Sequence, residues 1–368
     1  MDRSRTDRLA ALPSRWSAAV RDYRSRTADG AIAMHVVGGL SVLLFFALFI
    51  GGSRWTVLPF IVFLATVAIG WLRHQAELAK GLTLLTTIGA VTVLTLIIVF
   101  LLLRSRQILD HMGLVDLLFT FEEPFWTSSD GGVYSLAPMM VGTALTTLIA
   151  TLIAAPLGIA AAVYVSEIAS GRVREVVKPG IELMAGIPSI TYGFIGLTIV
   201  NAYLYDQFST PTIGNYFAAG IMIGIMALPT VVTVAEDALS TVPESMKSGS
   251  LAMGSTEWQT TKSVTIPAAF SGVSAGVLLG VGRAMGETMA ATVMLSHTKG
   301  FPNPFFDVFS NFGETLTTVI AFEGGNASGI HMSALFAGGV VLFFMVMVLA
   351  VTSQWIEWRM KQKLGGEV

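Results

Sequence analysis

The chain lacks cysteine altogether, and its 368 residues include only five histidines. Without a thiol, disulfide frameworks, thiolate metal sites and cysteine nucleophiles are excluded. The histidines do not have the spacing of a metal-binding motif. They stand at His35, His74, His111, His297 and His331. We therefore expect no metal and no resident cofactor on this chain.

Lysine is also scarce, with seven in the whole chain. None of the seven follows a glycine in the GxxxxGK pattern, in which a glycine-rich loop cradles nucleotide phosphates. ATP hydrolysis through such a loop is therefore excluded, and we expect the chain itself not to be an enzyme.

Charged residues make up 12% of the chain and hydrophobic residues 53%, whereas soluble globular proteins carry about 25% charged residues. This composition indicates an all-α, polytopic membrane protein. A bilayer core about 30 Å thick needs roughly 20 apolar residues of helix, in which each backbone amide is bonded within the segment. The sequence predicts about eight such spans, at residues 31–50, 57–72, 82–103, 136–165, 181–205, 217–235, 268–295 and 334–356.

Basic residues are distributed unevenly between alternate loops. Of the 22 lysines and arginines, 17 fall on the side of the N-terminus, four fall on the other side, and Arg283 lies within a span. Because positive loops stay in the cytoplasm, we predict a multi-pass protein of the cytoplasmic (inner) membrane with both termini inside. Residues 1–30 are too polar for a short cleavable signal, so we interpret them as a retained cytoplasmic segment. Residues 31–80 then form a transmembrane hairpin.

The seventh predicted span contains an arginine and a glutamate four residues apart, Arg283 and Glu287. Each charge costs several kcal/mol in a bilayer unless it is paired or hydrated. On a continuous helix both residues would share one face with Gly272, Gly276 and Gly280, and small residues mark where helices approach closely. The pattern favours a transport path in which the Arg283 guanidinium binds an oxyanion and the Glu287 carboxylate orients the guanidinium. The alternative is a salt bridge that only locks two helices together.

The fifth predicted span contains two helix breakers, Gly186 and Pro188, followed by the hydroxyl residues Ser189, Thr191 and Tyr192. We expect a kinked or interrupted helix there. Broken backbone at membrane depth is tolerated only beside protein or a water-filled cavity, which suits a substrate path. A plain proline kink that serves packing is the alternative.

Residues 240–267, which we call the docking segment, are predicted to form two short cytoplasmic helices separated by Gly254. Capping boxes are predicted at Thr241 with Glu244 and at Thr256 with Gln259. On the first helix, two flexible apolar side chains flank two small residues on one face. This pattern is typical of a helix that fits a partner's groove. These residues are Met246, Gly249, Ser250 and Met253. The alternative is a helix that lies on the membrane surface.

The docking segment resembles the cytoplasmic loop of ABC-importer permeases, in which EAA, three residues and a glycine precede an I-x-L-P ending. Gly254 and the ending VTIP at 264–267 match this spacing, whereas SGS stands at 248–250 in place of EAA. The motifs GIPSITYGF at 186–194 and GRAMGETMA at 282–290 are similar to those of the permeases of phosphate-specific importers. The GETMA ending points to the C-type subunit, PstC.

The resemblance implies a type I ABC-importer permease core over residues 81–368 that supplies half of a phosphate channel. It implies an A-type permease partner, two ATPase subunits that carry ATP and Mg²⁺, an extracytoplasmic phosphate-binding protein, and no nucleic acid. Arg283 and Glu287 become path residues, together with Ser189, Thr191 and Tyr192. The ATPase subunits would bind the docking segment through Met246, Gly249, Ser250, Met253, Gly254 and Trp258. The usual subunit has six spans, so the hairpin at 31–80 is an addition.

Four other functions remain open at this stage. The chain could carry a different oxyanion, such as sulfate or molybdate, or could be the A-type phosphate permease. It could be an ion-coupled secondary transporter in which Glu287 carries a proton. It could also be a membrane scaffold or sensor in which the two charges only form a lock.

Overall fold

The computed structural model describes residues 29–127, 132–210, 214–309 and 313–363, and we number its helices in chain order. By compactness the chain divides into two units, Met1–Ile97 and Ile98–Val368. In the first unit, α1 (Asp29–Ile50) and α2 (Val57–Arg73) form the predicted hairpin, and α3 (Gln75–Arg104) begins directly after it. The division falls within α3, seventeen residues beyond the predicted end of the hairpin unit at residue 80.

The second unit contains the remaining described helices, three of which are long and apolar enough to cross a membrane because the hydrophobic runs of the sequence are long there. A short kinked helix, α4, precedes the long span α5, which is followed by α6 and α7, and then by the span α8. Their bounds are Arg106–Phe119 for α4, Ala137–Val163 for α5, Gly171–Gly186 for α6, Ser189–Phe208 for α7 and Tyr216–Ser240 for α8.

The docking segment and the C-terminal third of the chain complete this unit. Two short helices, α9 and α10, lead into α11 and α12. The short helix α13 follows, and the long helix α14 ends the described chain. Their bounds are Glu244–Ala252 for α9, Glu257–Ala268 for α10, Phe270–Met285 for α11, Met289–Met294 for α12, Leu316–Glu323 for α13 and Gly329–Lys363 for α14.

Six helices of the described chain are long and apolar enough to cross a membrane, and the number reaches eight if each of two bent pairs counts as a span. The prediction of an all-α, polytopic protein with about eight spans is therefore confirmed. The interruption at Pro188 is confirmed as well, because α6 and α7 meet at 90°. The predicted bounds 181–205 run across this bend, so this span counts as one only when α6 and α7 are taken together.

The seventh span is not the continuous helix that was predicted over 268–295. A bend of 72° separates α10 from α11, and α11 ends at Met285, four residues before α12 begins at Met289. The glycine stripe does mark a close helix contact. A Cβ atom added at Gly276 would lie 3.2 Å from the backbone nitrogen of Ala235, and one at Gly272 would lie 2.3 Å from the Ala238 methyl group. Both contacts are with α8.

Candidate anion path and docking surface

Arg283 lies in the last turn of α11, where its side chain is half-buried. Its Nη1 donates a hydrogen bond to Thr230 Oγ1 on α8, at 3.0 Å, and the guanidinium interacts electrostatically with the Tyr192 hydroxyl. Among the described residues the guanidinium makes this one hydrogen bond and has no carboxylate within 4 Å. Because a guanidinium has five N–H donors, most of its donors and its charge are left for a ligand.

Among the described residues Glu287 forms no ion pair with Arg283, and the prediction that the two charges share one face of a continuous helix is wrong. The helix ends at Met285, and Glu287 lies in the break. There its Oε1 accepts a hydrogen bond from the backbone N–H of Ala290, at 3.0 Å, and its carbonyl oxygen accepts one from Thr317 Oγ1 at 2.9 Å. The four-residue spacing brings side chains together only on unbroken helix. Glu287 instead caps α12.

The two interrupted spans pack against each other. A Cβ atom added at Gly193 of α7 would lie 2.8 Å from both the Cα and the carbonyl oxygen of Ala290 on α12. One added at Gly196 would lie 2.5 Å from the side chain of Met294. The absence of a side chain at these two glycines therefore allows α7 and α12 to touch. The motifs GIPSITYGF and GRAMGETMA, about 100 residues apart in the sequence, meet at one place.

The three predicted hydroxyl residues of α7 have different surroundings. Tyr192 is buried, and its hydroxyl donates to the carbonyl oxygen of Met184 in α6, at 2.9 Å, so it bridges the bend. Ser189 is half-buried at the first residue of α7, and Thr191 is exposed.

Sequence reasoning missed a group of threonines that lies beside Glu287. Thr143, Thr146 and Thr147 of α5 line a small internal cavity together with Thr315 and Glu287, and the cavity has room for about one water molecule. The Thr147 hydroxyl is buried and has no hydrogen-bond partner among the described residues. The available signal was the spacing of three and four residues in the fourth span, which places these hydroxyls on one helical face.

The docking segment folds as two helices, with one of its two predicted capping boxes. Thr256 and Gln259 form a complete box, and Gly254 has a φ of 89°, the left-handed conformation predicted for the stop. The box at Thr241 is wrong. Pro243 precedes the first residue of α9, because its fixed φ suits a helix start, and the Thr241 hydroxyl donates to the carbonyl oxygen of Ala238 instead.

The predicted docking residues lie largely at the surface. Met246 is 46% exposed, Met253 is 88% exposed and Trp258 is 59% exposed, and a Cβ atom added at Gly249 would meet no atom within 4 Å. Ser250 differs, since its Oγ accepts a hydrogen bond from Thr260 Oγ1 at 3.0 Å and thereby ties α9 to α10. The segment thus presents large apolar side chains around an open glycine.

An ion pair holds the docking segment on the helical bundle. Lys247 Nζ lies 2.9 Å from Glu167 Oε1, in the turn that follows α5, and the two side chains are only 16% and 9% exposed. Ser166 Oγ donates to the same carboxylate oxygen. Because Lys247 is turned toward Glu167, it does not supply the basic face that binding to a membrane surface would require.

A second charged cluster joins three segments near the start of α14. Glu323 Oε2 accepts hydrogen bonds from Trp126 Nε1 at 2.8 Å and from His331 Nε2 at 2.6 Å, and the same carboxylate forms an ion pair with Lys299. Burial alone would raise the pKa of Glu323. The hydrogen bonds from Lys299, His331 and Trp126 and the charge of Lys299 outweigh burial and hold this pKa below its usual value of 4.5.

Residues 154–362 match the family described as "Binding-protein-dependent transport system inner membrane component". The chain belongs to this family. Within it, the chain is 31% identical to the phosphate transport system permease protein PstC of Pasteurella multocida, over 73% of this chain and 90% of the relative. It is also 36% identical to the probable ABC transporter permease protein YqgH of Bacillus subtilis, over 64% of this chain and 76% of the relative. The chain is therefore a permease of the PstC type.

A solved structure supports the fold. The structure of a bacterial alginate ABC transporter in complex with an alginate-bound periplasmic protein includes a chain that is 14% identical to this one. The match covers 78% of this chain and 98% of the solved chain, with a TM-score of 0.53. At this identity the similarity establishes the ABC-importer permease architecture alone.

Proposed function

We propose that this chain is the C-type permease subunit of an ATP-driven phosphate importer. The observation that carries the proposal is Arg283, a half-buried guanidinium with one hydrogen bond and no carboxylate within 4 Å among the described residues. A planar guanidinium binds a tetrahedral oxyanion through two parallel N–H bonds. Similarity to PstC proteins, which are named for phosphate transport, supports phosphate as that oxyanion.

The path is formed where α7 and α12 meet beside the end of α11. Arg283 supplies the anion-attracting charge, and Glu287 acts as a positioning residue because it caps α12 next to α7. Ser189 and Thr191 offer hydroxyl groups near the bend, and Tyr192 holds the bend itself. An A-type permease completes the channel, and an extracytoplasmic binding protein delivers phosphate to it.

ATP hydrolysis takes place on two partner ATPase subunits, with Mg²⁺ bound there. The ATPases contact the exposed face formed by Met246, Gly249, Met253 and Trp258, and Gly254 sets the angle between α9 and α10. The ion pair at Lys247 transmits their movement to the bundle, and rigid-body motion alternates access. The 17 to 4 distribution of basic residues supports a cytoplasmic position for the docking segment and both termini, and a location of the protein in the inner membrane.

The proposal is tested by reconstitution in vesicles with an A-type permease, the ATPase subunits and the binding protein. We expect phosphate uptake that requires ATP and persists when the proton gradient is collapsed. Uptake that requires a proton gradient and no ATPase would indicate a secondary transporter. Sulfate uptake in place of phosphate would indicate another oxyanion, and absence of any flux would indicate a scaffold.

The docking surface has its own test. Gly249→Trp adds a large side chain where no atom lies within 4 Å, so the variant can fold. We expect the ATPase subunits to be lost from the purified complex. Thr241→Trp, at an exposed position outside α9, is the control. Full recovery of ATPase with the Gly249 variant would contradict this role.

A further inference from the structure

The small cavity beside Glu287 is lined by a hydroxyl group that the surrounding protein does not satisfy. Thr147 is 6% exposed, and its Oγ1 is buried without a hydrogen-bond partner among the described residues. A buried hydroxyl that makes no hydrogen bond destabilises a protein. Because Thr147 lines the cavity, a molecule bound there is in a position to supply the bond.

Thr147 differs in this respect from the other threonines of α5. The hydroxyl groups of Thr143, Thr146 and Thr151 each donate to the carbonyl oxygen four residues earlier in the helix, at 2.7–2.8 Å. This is the usual bond of a threonine within a helix. The Thr147 hydroxyl does not make it, so its partner has to lie outside its own helix.

The other polar groups of the cavity offer acceptors. The Glu287 carboxylate accepts one hydrogen bond, from the backbone N–H of Ala290, and a carboxylate has about four acceptor sites. Thr146 Oγ1 donates its hydrogen to the carbonyl oxygen of Gly142 and keeps its lone pairs. The cavity therefore combines an unused donor at Thr147 with unused acceptors at Thr146 and Glu287.

One water molecule fits this combination in size and in chemistry. The cavity offers about 10 Å³, close to the space that one water needs. A water can accept a bond from the Thr147 hydroxyl and donate to Glu287 and to Thr146 Oγ1, which gives about three bonds, as is typical of buried waters. A small cation would contact the Thr147 oxygen but would leave its hydrogen without an acceptor.

We propose that one buried water binds in this cavity and that Thr147 acts through it as a positioning residue for Glu287. Because Glu287 caps α12, which packs on α7, the water links α5 to the contact between the two interrupted spans. The water site itself follows from the fold, whereas its effect on uptake rests on the proposed transport function.

The test uses the complete complex with Thr147→Val, which keeps the shape of the side chain and removes the hydroxyl. We expect the thermal unfolding midpoint to fall by about 2 °C, because the water loses the donor that holds it. Thr151→Val is the matched control, since it removes a hydroxyl that bonds only its own helix, and it should not lower the midpoint.

Radiolytic labelling gives a second readout that reports the water itself. X-ray pulses convert bound water to hydroxyl radicals, and these oxidise a neighbouring methionine. Met285 is 7% exposed and lines the cavity, whereas Met226 is fully buried and does not line it. We expect Thr147→Val to slow the oxidation of Met285 by about threefold, Thr147→Ser to preserve it, and Met226 to be unaffected.

Phosphate uptake tests the positioning role. The maximum rate should fall severalfold with Thr147→Val and recover with Thr147→Ser, which restores the hydroxyl. A raised midpoint in Thr147→Val would overturn the proposal, because it would show a cavity without water, and so would equal oxidation of Met285 in all variants. Unchanged uptake with Thr147→Val would overturn the positioning role. A wild type without phosphate uptake would contradict the transport function, while the midpoint and Met285 oxidation would still decide on the water.

Discussion

Replacing Lys247 by methionine tests how the docking segment is held on the bundle. The change keeps most of the apolar side chain and removes the ammonium group that lies 2.9 Å from Glu167. With both side chains more than four-fifths buried, the loss leaves a carboxylate without its counter-charge. Breaking such a pair from one side costs about 3–5 kcal/mol. Because Ser166 still donates to Glu167, we expect the lower limit of about 3 kcal/mol.

This cost should appear as local opening of α9, since the pair is the charged link between that helix and the turn after α5. A free-energy change of about 3 kcal/mol raises the open population by roughly 100-fold. Hydrogen exchange of the α9 amide groups reports this population directly. We expect their exchange to accelerate by about that factor, while the amide groups of α8 exchange as in the wild type.

Lys262→Met is the matched control, because Lys262 is exposed in the same segment and makes no ion pair among the described residues. Exchanging the two charges, Lys247→Glu with Glu167→Lys, should restore part of the protection. Unchanged α9 exchange in the Lys247 variant would refute the reasoning, and so would equal acceleration in the Lys262 control.

Two further predictions concern the contact between α7 and α12 and the Glu323 cluster. Gly193→Leu drives a side chain into the backbone of Ala290, 2.8 Å from the added Cβ, and should destabilise the protein by about 1–3 kcal/mol, measured as a lower thermal unfolding midpoint in detergent. For Glu323 the lowered pKa means that its stabilising contribution is present above pH 4.5 and is lost as the pH falls through the folded value. The difference in thermal unfolding midpoint between wild type and Glu323→Gln should therefore be constant near neutral pH and shrink in acid. A difference that grows in acid would contradict the roles of Lys299 and His331.

Much of the fold was predictable because its signals are local. Apolar runs set the spans, Pro188 marks the bend between α6 and α7, and Gly254 marks the left-handed stop. The break after Met285 was not predictable in the same way. Gly286 ends a helix, whereas Gly276 and Gly280, in the same glycine-rich segment, continue it. In the structure the Glu287 carboxylate accepts a hydrogen bond from the backbone of α12 directly after this break.

The contacts made by the candidate site residues were not predictable from the sequence. The position of Arg283 within a span was visible in the sequence, but its partner Thr230 is 53 residues away. The ion pair of Lys247 with Glu167 joins residues 80 apart. Such contacts depend on how the helices pack, and helical periodicity describes only one helix at a time.

The most direct test of the transport path is ATP-dependent phosphate uptake by vesicles that contain the complete complex with Arg283→Ala. We predict that uptake is abolished while all subunits co-purify, because the anion-attracting charge is lost. Thr230→Val, which removes only the hydrogen-bond partner of Arg283, should retain measurable uptake. Wild-type uptake by the Arg283 variant would contradict the account.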